Sequence, residues 1–369
     1  MLAPHHFVNK TVTEVKEVEF IPKHTFDDFG FMPMILQNLR DKKFTKPTPI
    51  QDASIPHIME GKDVIGLANT GSGKTAAFVL PSIHRLKENK QHSMALIIAP
   101  TRELAVQIEA ELRDFSRSMH IFSALCVGGM NMYRQKAALS RRPHFVIGTP
   151  GRLKDLMQQG ALRLDGTSIF VLDEVDRMLD MGFINDIKFI MGKLPQKKQS
   201  LCFSATITPA INQLLQTILV EPVTVSVRTS ETGDHIEQDI VRTHSKEHKL
   251  ETLIEMLHKP EFEKVLVFGE TKWGVQKLSD TLNKSGLLSE AIHGNKSQPQ
   301  RQRALKSFKD GRVKILVATD VAARGLDIPN VSHVINFDQP NSYEDYIHRI
   351  GRTGRAGKKG MALTFITVR

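Results

Sequence analysis

Eight residues constrain this chain more than any others. Ala68-Asn69-Thr70-Gly71-Ser72-Gly73-Lys74-Thr75 follows a short apolar run, Val64–Ala68, and opens a helical stretch. A glycine-rich turn between a strand and a helix N-terminus is a phosphate cradle, a P-loop. Gly71 and Gly73 let backbone N–H groups approach phosphate oxygens closely. Thr70 and Ser72 complete the lining, Lys74 is placed to reach β and γ phosphates, and the Thr75 hydroxyl is placed for Mg2+. The bland alternative, a chance Gly/Ser turn, does not account for the Lys-Thr ending in a strand–helix context. Ala68 stands where the strict pattern has glycine.

Further apolar runs repeat the strand theme at Ala95–Ala99, Phe145–Gly148, Ile169–Leu172 and Leu201–Phe203. Each is short and apolar on both faces, and helical stretches such as Arg102–Ser116 separate them. That alternation predicts an α/β domain whose parallel sheet is covered on both sides. A polar stretch from Ser226 to His235 breaks the pattern and reads as a linker. Strand candidates resume at Val265–Phe268, Ser289–Ile292, Ile315–Ala318 and His333–Asn336. The reading is therefore a loosely attached extension over 1–23, a first domain over 24–225, a linker over 226–236 and a second domain over 237–369. The length of 369 residues suits two domains.

Composition narrows the partners. Lys plus Arg exceed Asp plus Glu by 50 to 40, a formal charge of +10, which suits either a solvated surface or a polyanionic partner. No apolar run approaches the length of a membrane span. The two cysteines, Cys126 and Cys202, are far apart, lie among apolar neighbours and read as reduced core thiols, which fits a cytoplasmic location.

A second chemical signal follows the Ile169–Leu172 run: Asp173-Glu174-Val175-Asp176. A carboxylate at a strand tip can hold Mg2+ opposite a P-loop, and its neighbour can accept a proton from attacking water. Asp173 is assigned to magnesium and Glu174 to the base; taken alone, the same residues would also suit an acidic helix start.

The remaining motifs come in a fixed order. Phe26 precedes Phe44-Thr45-Lys46-Pro47-Thr48-Pro49-Ile50-Gln51; then come Pro100-Thr101-Arg102-Glu103-Leu104, Gly128-Gly129, Thr149-Pro150-Gly151-Arg152 and Ser204-Ala205-Thr206. The second half carries Phe268-Gly269-Glu270-Thr271, His293-Gly294 with Gln298 and Arg301, Thr319-Asp320 through Arg324-Gly325-Leu326-Asp327, and His348-Arg349-Ile350-Gly351-Arg352-Thr353-Gly354-Arg355. From about Phe26 to Phe365 this set resembles the DEAD-box RNA helicases of superfamily 2, and segments such as AIHGNKSQ look similar to the bacterial RhlE-type branch. Three positions depart from the usual pattern: Val175 replaces an alanine, Lys43 stands where a glycine usually precedes Phe44, and Asn69 fills a variable loop position. None removes a reacting group.

The resemblance implies two tandem RecA-like domains, ATP and Mg2+ as cofactors, and RNA as partner to a monomeric protein. It implies that Gln51 reads adenine, that Phe44 stacks on the base and Lys46 lies beside it, and that Asp327 contacts the ribose or phosphate side. An amide can donate and accept on the adenine N7/N6 edge, which agrees. Arg352 and Arg355 become arginine fingers, reaching the γ phosphate when the two halves close; the alternative is a solvated basic surface shared with Arg349. Asp176, Ser204, Thr206 and His348 would couple closure to hydrolysis. Thr101, Arg102, Gly129, Thr149, Arg152, Thr271, Arg301 and Thr319 would hold the RNA backbone, with helix capping or turn formation as the structural alternative for each. The expected function is RNA-stimulated ATP hydrolysis with local duplex separation. The rivals are a DNA-directed helicase of the same superfamily and an ATP-gated RNA clamp.

Overall fold

The computed structural model describes residues 7–8, 20–69, 71–89, 93–227, 236–323, 328, 330–354 and 360–368. The chain divides into two compact units, the first spanning Val18–Thr229, the second spanning Ser230–Arg369 and also taking in Phe7.

The first unit is a seven-stranded sheet of β1 (Val64–Ala68), β2 (Met94–Ile98), β3 (Ser123–Cys126), β4 (Phe145–Gly148), β5 (Thr167–Asp173), β6 (Gln199–Ser204) and β7 (Val223–Val227). The strands lie in the order β3-β4-β2-β5-β6-β1-β7, and every pairing is parallel. Successive side chains of a strand point to opposite faces. Val64 and Ala68 of β1 accordingly enter one apolar core and Ile65 and Leu67 the other. Helices cover both faces, so all five β1 residues are buried. That is why the central strands read as unbroken apolar runs.

The second unit repeats the plan with β8 (Ile236–Thr243), β9 (Val265–Phe268), β10 (Ser289–Ile292), β11 (Ile315–Ala318), β12 (His333–Asn336) and β13 (Gly360–Thr367). Their order is β10-β11-β9-β12-β13-β8, again parallel throughout. The strands expected from sequence match nine of those observed, and β3, β7, β8 and β13 are not among the expected ones. Three of these are edge strands. β7 and β8 carry solvent-facing polar residues, and β3 is only half buried, so the apolar signal is diluted. β13 is interior and apolar at Ala362, Leu363 and Phe365, a readable pattern that the sequence-based strand candidates do not include.

Most of the expected N-terminal extension, and positions 228–235 of the expected linker, lie outside the described residues. Phe7 is described, and it is fully buried rather than loosely attached. Its ring packs edge-on against Tyr346 at 4.9 Å, in a small core with Ile236, Ile350 and Ala362. The Tyr346 hydroxyl in turn donates to Gln238 Oε1 at 2.8 Å. Cys126 and Cys202 are buried free thiols, and burial pushes both above the usual thiol range, Cys126 to about 12. Among the described residues no helix is long and apolar enough to cross a membrane.

Candidate functional site

In open parallel sheets, ligands gather beyond the carboxyl ends of the strands. Strand order then decides which tips become neighbours. In the first unit β1, β6 and β5 are adjacent, so their tips bring together the loop before Lys74, the Ser204-Ala205-Thr206 turn and Asp173-Glu174. β2, β4 and β3 form the other half, and their tips carry Thr101, Thr149 and Gly128-Gly129. The same sheet thus sorts the expected nucleotide residues from the expected RNA residues.

Gly71 and Gly73 have φ of +83° and +94°, a left-handed geometry that glycine adopts without Cβ strain. A Cβ on Gly73 would also fall 2.5 Å from Gln51 Nε2. Helix Lys74–Glu88 starts there, and Lys74 is buried with its ammonium donating to Ala68 O at 2.8 Å. The Ser72 hydroxyl oxygen is buried without a hydrogen-bond partner. Thr75 is half-buried in the first helical turn, and Thr70 lies outside the described residues.

Asp173 ends β5, is 2% exposed, and its Oδ1 has no partner. Burial pushes its carboxyl up to about 7; Lys74 opposes that rise and Glu174 adds to it. A buried carboxylate oxygen left unpaired near a P-loop lysine fits a divalent cation. Mg2+ is commonly held by one or two carboxylates plus substrate phosphates rather than by a full protein cage. Among the described residues no group of three His, Cys, Asp or Glu poised for a metal occurs. Glu174 adopts φ +54° and its Oε2 accepts from Arg177 Nη1 at 2.9 Å, both side chains being buried. The sequence reading missed Arg177.

Asp176 is a hub. Its Oδ2 accepts from the backbone N–H groups of Ala205 (3.0 Å) and Thr206 (3.1 Å) and, at 3.5 Å, from the Thr206 hydroxyl. Ser204 Oγ accepts from the Asp176 N–H at 3.3 Å and donates to Thr206 O at 2.8 Å. Val175 is fully buried in the core under this turn.

Gln51 belongs to a capping box: its Oε1 accepts from Thr48 N at 3.0 Å at the start of helix Pro49–Met59. Its Nε2 donates to Gly73 O at 3.0 Å, tying that helix to the phosphate loop. An amide has two N–H donors and two acceptor lone pairs, so one of each stays available for a base. Phe44 is half-buried, edge-on to Phe115 at 5.5 Å and tilted against Phe26 at 6.3 Å. It therefore packs into the core while keeping one side open. Lys46 is exposed.

On the other half of the sheet, Arg102 lies over Gly128 and Gly129, where any Cβ would collide with its guanidinium. Arg152 donates to Met130 O at 3.4 Å, just beyond that glycine pair. The Thr101 hydroxyl caps helix Arg102–Phe115, accepting from Leu104 N at 3.2 Å, and Thr271 caps helix Lys272–Lys284 in the same way, from Gly274 N at 3.0 Å. The capping alternative thus holds for these two, whereas Thr149 makes no side-chain cap bond.

In the second unit β10, β11 and β9 are adjacent, and their tips present His293-Gly294, Thr319 and Gly269 to Thr271. Arg301 is nearly buried, donating to His293 O at 3.5 Å, and Thr319 is buried. Past β12, helix Tyr343–Ile350 carries His348 and Arg349. Arg349 is 2% exposed; its guanidinium donates to both Asp320 oxygens, at 2.6 and 2.7 Å, and to Asp338 O at 2.6 Å. It is no part of a solvated basic surface. Arg352 is 3% exposed and shares a small cleft with Phe268, Asp320, His348 and Arg349. Asp327 and Arg355 lie outside the described residues.

These two sheets, each with phosphate-binding or basic motifs at the strand tips, define a two-unit P-loop protein. A family profile described as DEAD/DEAH box helicase matches residues 48–214, and one described as Helicase conserved C-terminal domain matches 248–357. The chain is 45% identical over 345 residues to the ATP-dependent RNA helicase CshA of Listeria monocytogenes, covering 93% of this chain and 66%, just under two thirds, of that protein. It is 44% identical to the CshA of Geobacillus kaustophilus, covering 94% of this chain and 74% of that one. The structure of S. cerevisiae Dbp5 bound to RNA and ADP BeF3 superposes with a TM-score of 0.83 at 32% identity, covering 94% and 90% of the two chains. The chain belongs to the DEAD-box ATP-dependent RNA helicase family.

Proposed function

We propose that this protein is an RNA-stimulated ATPase that separates short RNA duplexes locally. The observation that carries the proposal is the buried, unpaired Asp173 oxygen in the site it shares with Lys74. A site that keeps a carboxylate desolvated and without a partner is built for a ligand that brings positive charge. Asp173 and Thr75 would hold Mg2+, which would neutralise charge between the β and γ phosphates. Lys74 and the N–H groups of Gly71 to Thr75 bind the phosphates. Glu174 receives the proton of the attacking water, with Arg177 fixing one of its two oxygens. Gln51 and Phe44 hold adenine, with Lys46 beside them and Asp327 on the ribose or phosphate side.

The second unit supplies Arg352 and Arg355 once the two units close on the nucleotide. Asp176, with Ser204 and Thr206 bonded to it, and His348 transmit that closure. RNA lies along the other strand tips, over Arg102, Gly129, Thr149 and Arg152 in one unit and Arg301 and Thr319 in the other, with Thr101 and Thr271 shaping the helix starts. Backbone contacts of this kind position a strand without reading its sequence. The RNA named in the Dbp5 structure supports RNA over DNA. The CshA names of the relatives support a CshA-like assignment and lend none to the RhlE-type branch. We further propose a monomer acting in the cytoplasm.

The test is ATP hydrolysis by the whole protein with RNA, with DNA and with neither. Turnover should depend on RNA, and Glu174→Gln should lower it by about 10²- to 10⁴-fold while nucleotide binding persists. Equal rates with and without RNA would overturn the coupling, and stronger stimulation by DNA would overturn the substrate.

A further inference from the structure

Helix Gln298–Lys309 of the second unit carries charge on two different sides. Arg301 is nearly buried against the strand tips. Gln300, Arg303, Lys306 and Ser307 follow the three- and four-residue helical spacing along another strip. This strip, with edge strand β10 and the turn after the helix, encloses a cavity of about 330 Å³. Lys296, Arg303, Lys306 and Arg312 line it, and Glu290 is its one carboxylate. Glu290 reaches Lys296 only at 3.8 Å, and Arg312 pairs loosely with Asp310 at 3.4 Å. Among the described residues Arg303 and Lys306 have no ion-pair or hydrogen-bond partner.

A cleft with four cations, one acid and no aromatic lining suits phosphate, not a base or an apolar ligand. Ordinary basic surfaces on helices disperse their cations among carboxylates. Here two of them face a concavity unpaired, where low-dielectric walls concentrate the field.

We propose that this cleft is a second phosphodiester-binding site, which takes up RNA continuing past the segment held at Arg301. The inference rests on the RNA reading above. Because one helix carries both sets, a strand leaving Arg301 passes onto the Arg303–Lys306 strip after a short step around the helix. A strand long enough to do so gains contacts that a short one cannot make.

The experiment compares the whole protein with its Arg303→Gln/Lys306→Gln variant, binding fluorescent single-stranded RNA with a non-hydrolysable ATP analogue present. One strand is about 8 nucleotides, within the range single folds accommodate, and one is about 30. Affinities are measured across a salt series. Each neutralised phosphate contributes about 0.7 to the slope of log affinity against log salt on single strands. The variant should lower the slope for the long strand by about 1.4 and weaken it about tenfold at low salt. The short strand should bind both proteins alike. Unchanged long-strand slope and affinity would overturn the proposal, as would equal losses on both strands, which would make the cleft part of the main RNA path. Failure of the unaltered protein to bind either strand would instead overturn the RNA reading itself.

Discussion

The two units place carboxylates at their strand tips in opposite ways. Asp173, at the end of β5, is buried with an oxygen unpaired and a carboxyl pushed up to about 7. Asp320, just after β11, accepts from Nε and Nη2 of the Arg349 guanidinium, which itself lies 5.0 Å over the Phe268 ring. An unpaired buried charge weakens a fold, while a fully hydrogen-bonded one resists being broken. On the proposed reading, the first unit carries strain that a bound cation would relieve. The second is satisfied without one and holds its arginine helix in place. The same difference recurs in the backbone: Glu174 sits at φ +54° in the first site, whereas Arg349 and Arg352 lie in and just after a regular helix.

The largest effect that can test this contrast belongs to Arg352. If the second unit's ordered cleft exists to deliver a cation to the nucleotide, Arg352→Ala should lower RNA-stimulated hydrolysis by about 10³-fold or more. On the proposed reading the first unit sets ATP affinity, which should then change little. Titration of a fluorescent nucleotide beside steady-state rates separates the two. A variant that loses affinity and rate equally would place Arg352 in binding rather than in the transition state.

Removing charge from the two aspartates should have opposite signs. For Asp173 the folded-state value of about 7 lies above the unfolded 3.8. The folded protein then binds the extra proton, so stability is lost as pH rises through this window and the full cost is present above 7. Asp173→Asn should stabilise the nucleotide-free protein at pH 8, with a ceiling of about 4 kcal/mol, and the gain should vanish near pH 4. Denaturant titrations at the two pH values measure it. Asp320→Ala should instead destabilise, by about 3 kcal/mol, the low end for a broken buried pair because the Asp320 side chain is 25% exposed. If both substitutions destabilised at pH 8, the contrast would fail.

How much of this was legible in the sequence follows from range. The phosphate loop, the Asp173–Asp176 turn and the central strands are local patterns, and the α/β architecture of both units could be read from them. The Asp176 bonds to Thr206 join residues 30 apart, and they were reached only through the ordered motif set. Arg349 with Asp320, 29 apart, leaves no local pattern, and by sequence the arginine reads equally as surface charge. Arg177 is only three residues from Glu174, yet the sequence does not reveal the pair, because it depends on the left-handed turn at Glu174. Phe7 was illegible for a related reason: one aromatic in a polar stretch gives no periodicity, and its socket is assembled from residues beyond 235.

The smallest predicted effect probes strain that serves no ligand. Lys43 stands where the family usually has glycine, and the structure supplies the physical reason for that preference. Helix Pro33–Asp41 ends with Lys43 N donating to Arg40 O and Phe44 N donating back to Leu39 O, both at 2.9 Å. That is a Schellman ending, whose first residue past the cap is left-handed, and Lys43 has φ +60° there. Glycine accepts this geometry without a Cβ penalty. Lys43→Gly should therefore stabilise the first unit by about 1 kcal/mol, raising its melting temperature by about 2–4 °C. Unlike Asp173→Asn, it should leave hydrolysis intact, since Lys43 is exposed and only precedes Phe44 in the chain. A gain in stability accompanied by lost ATP affinity would mean that the strained turn sets the pose of Phe44, and strain in the first unit would then be functional at both places.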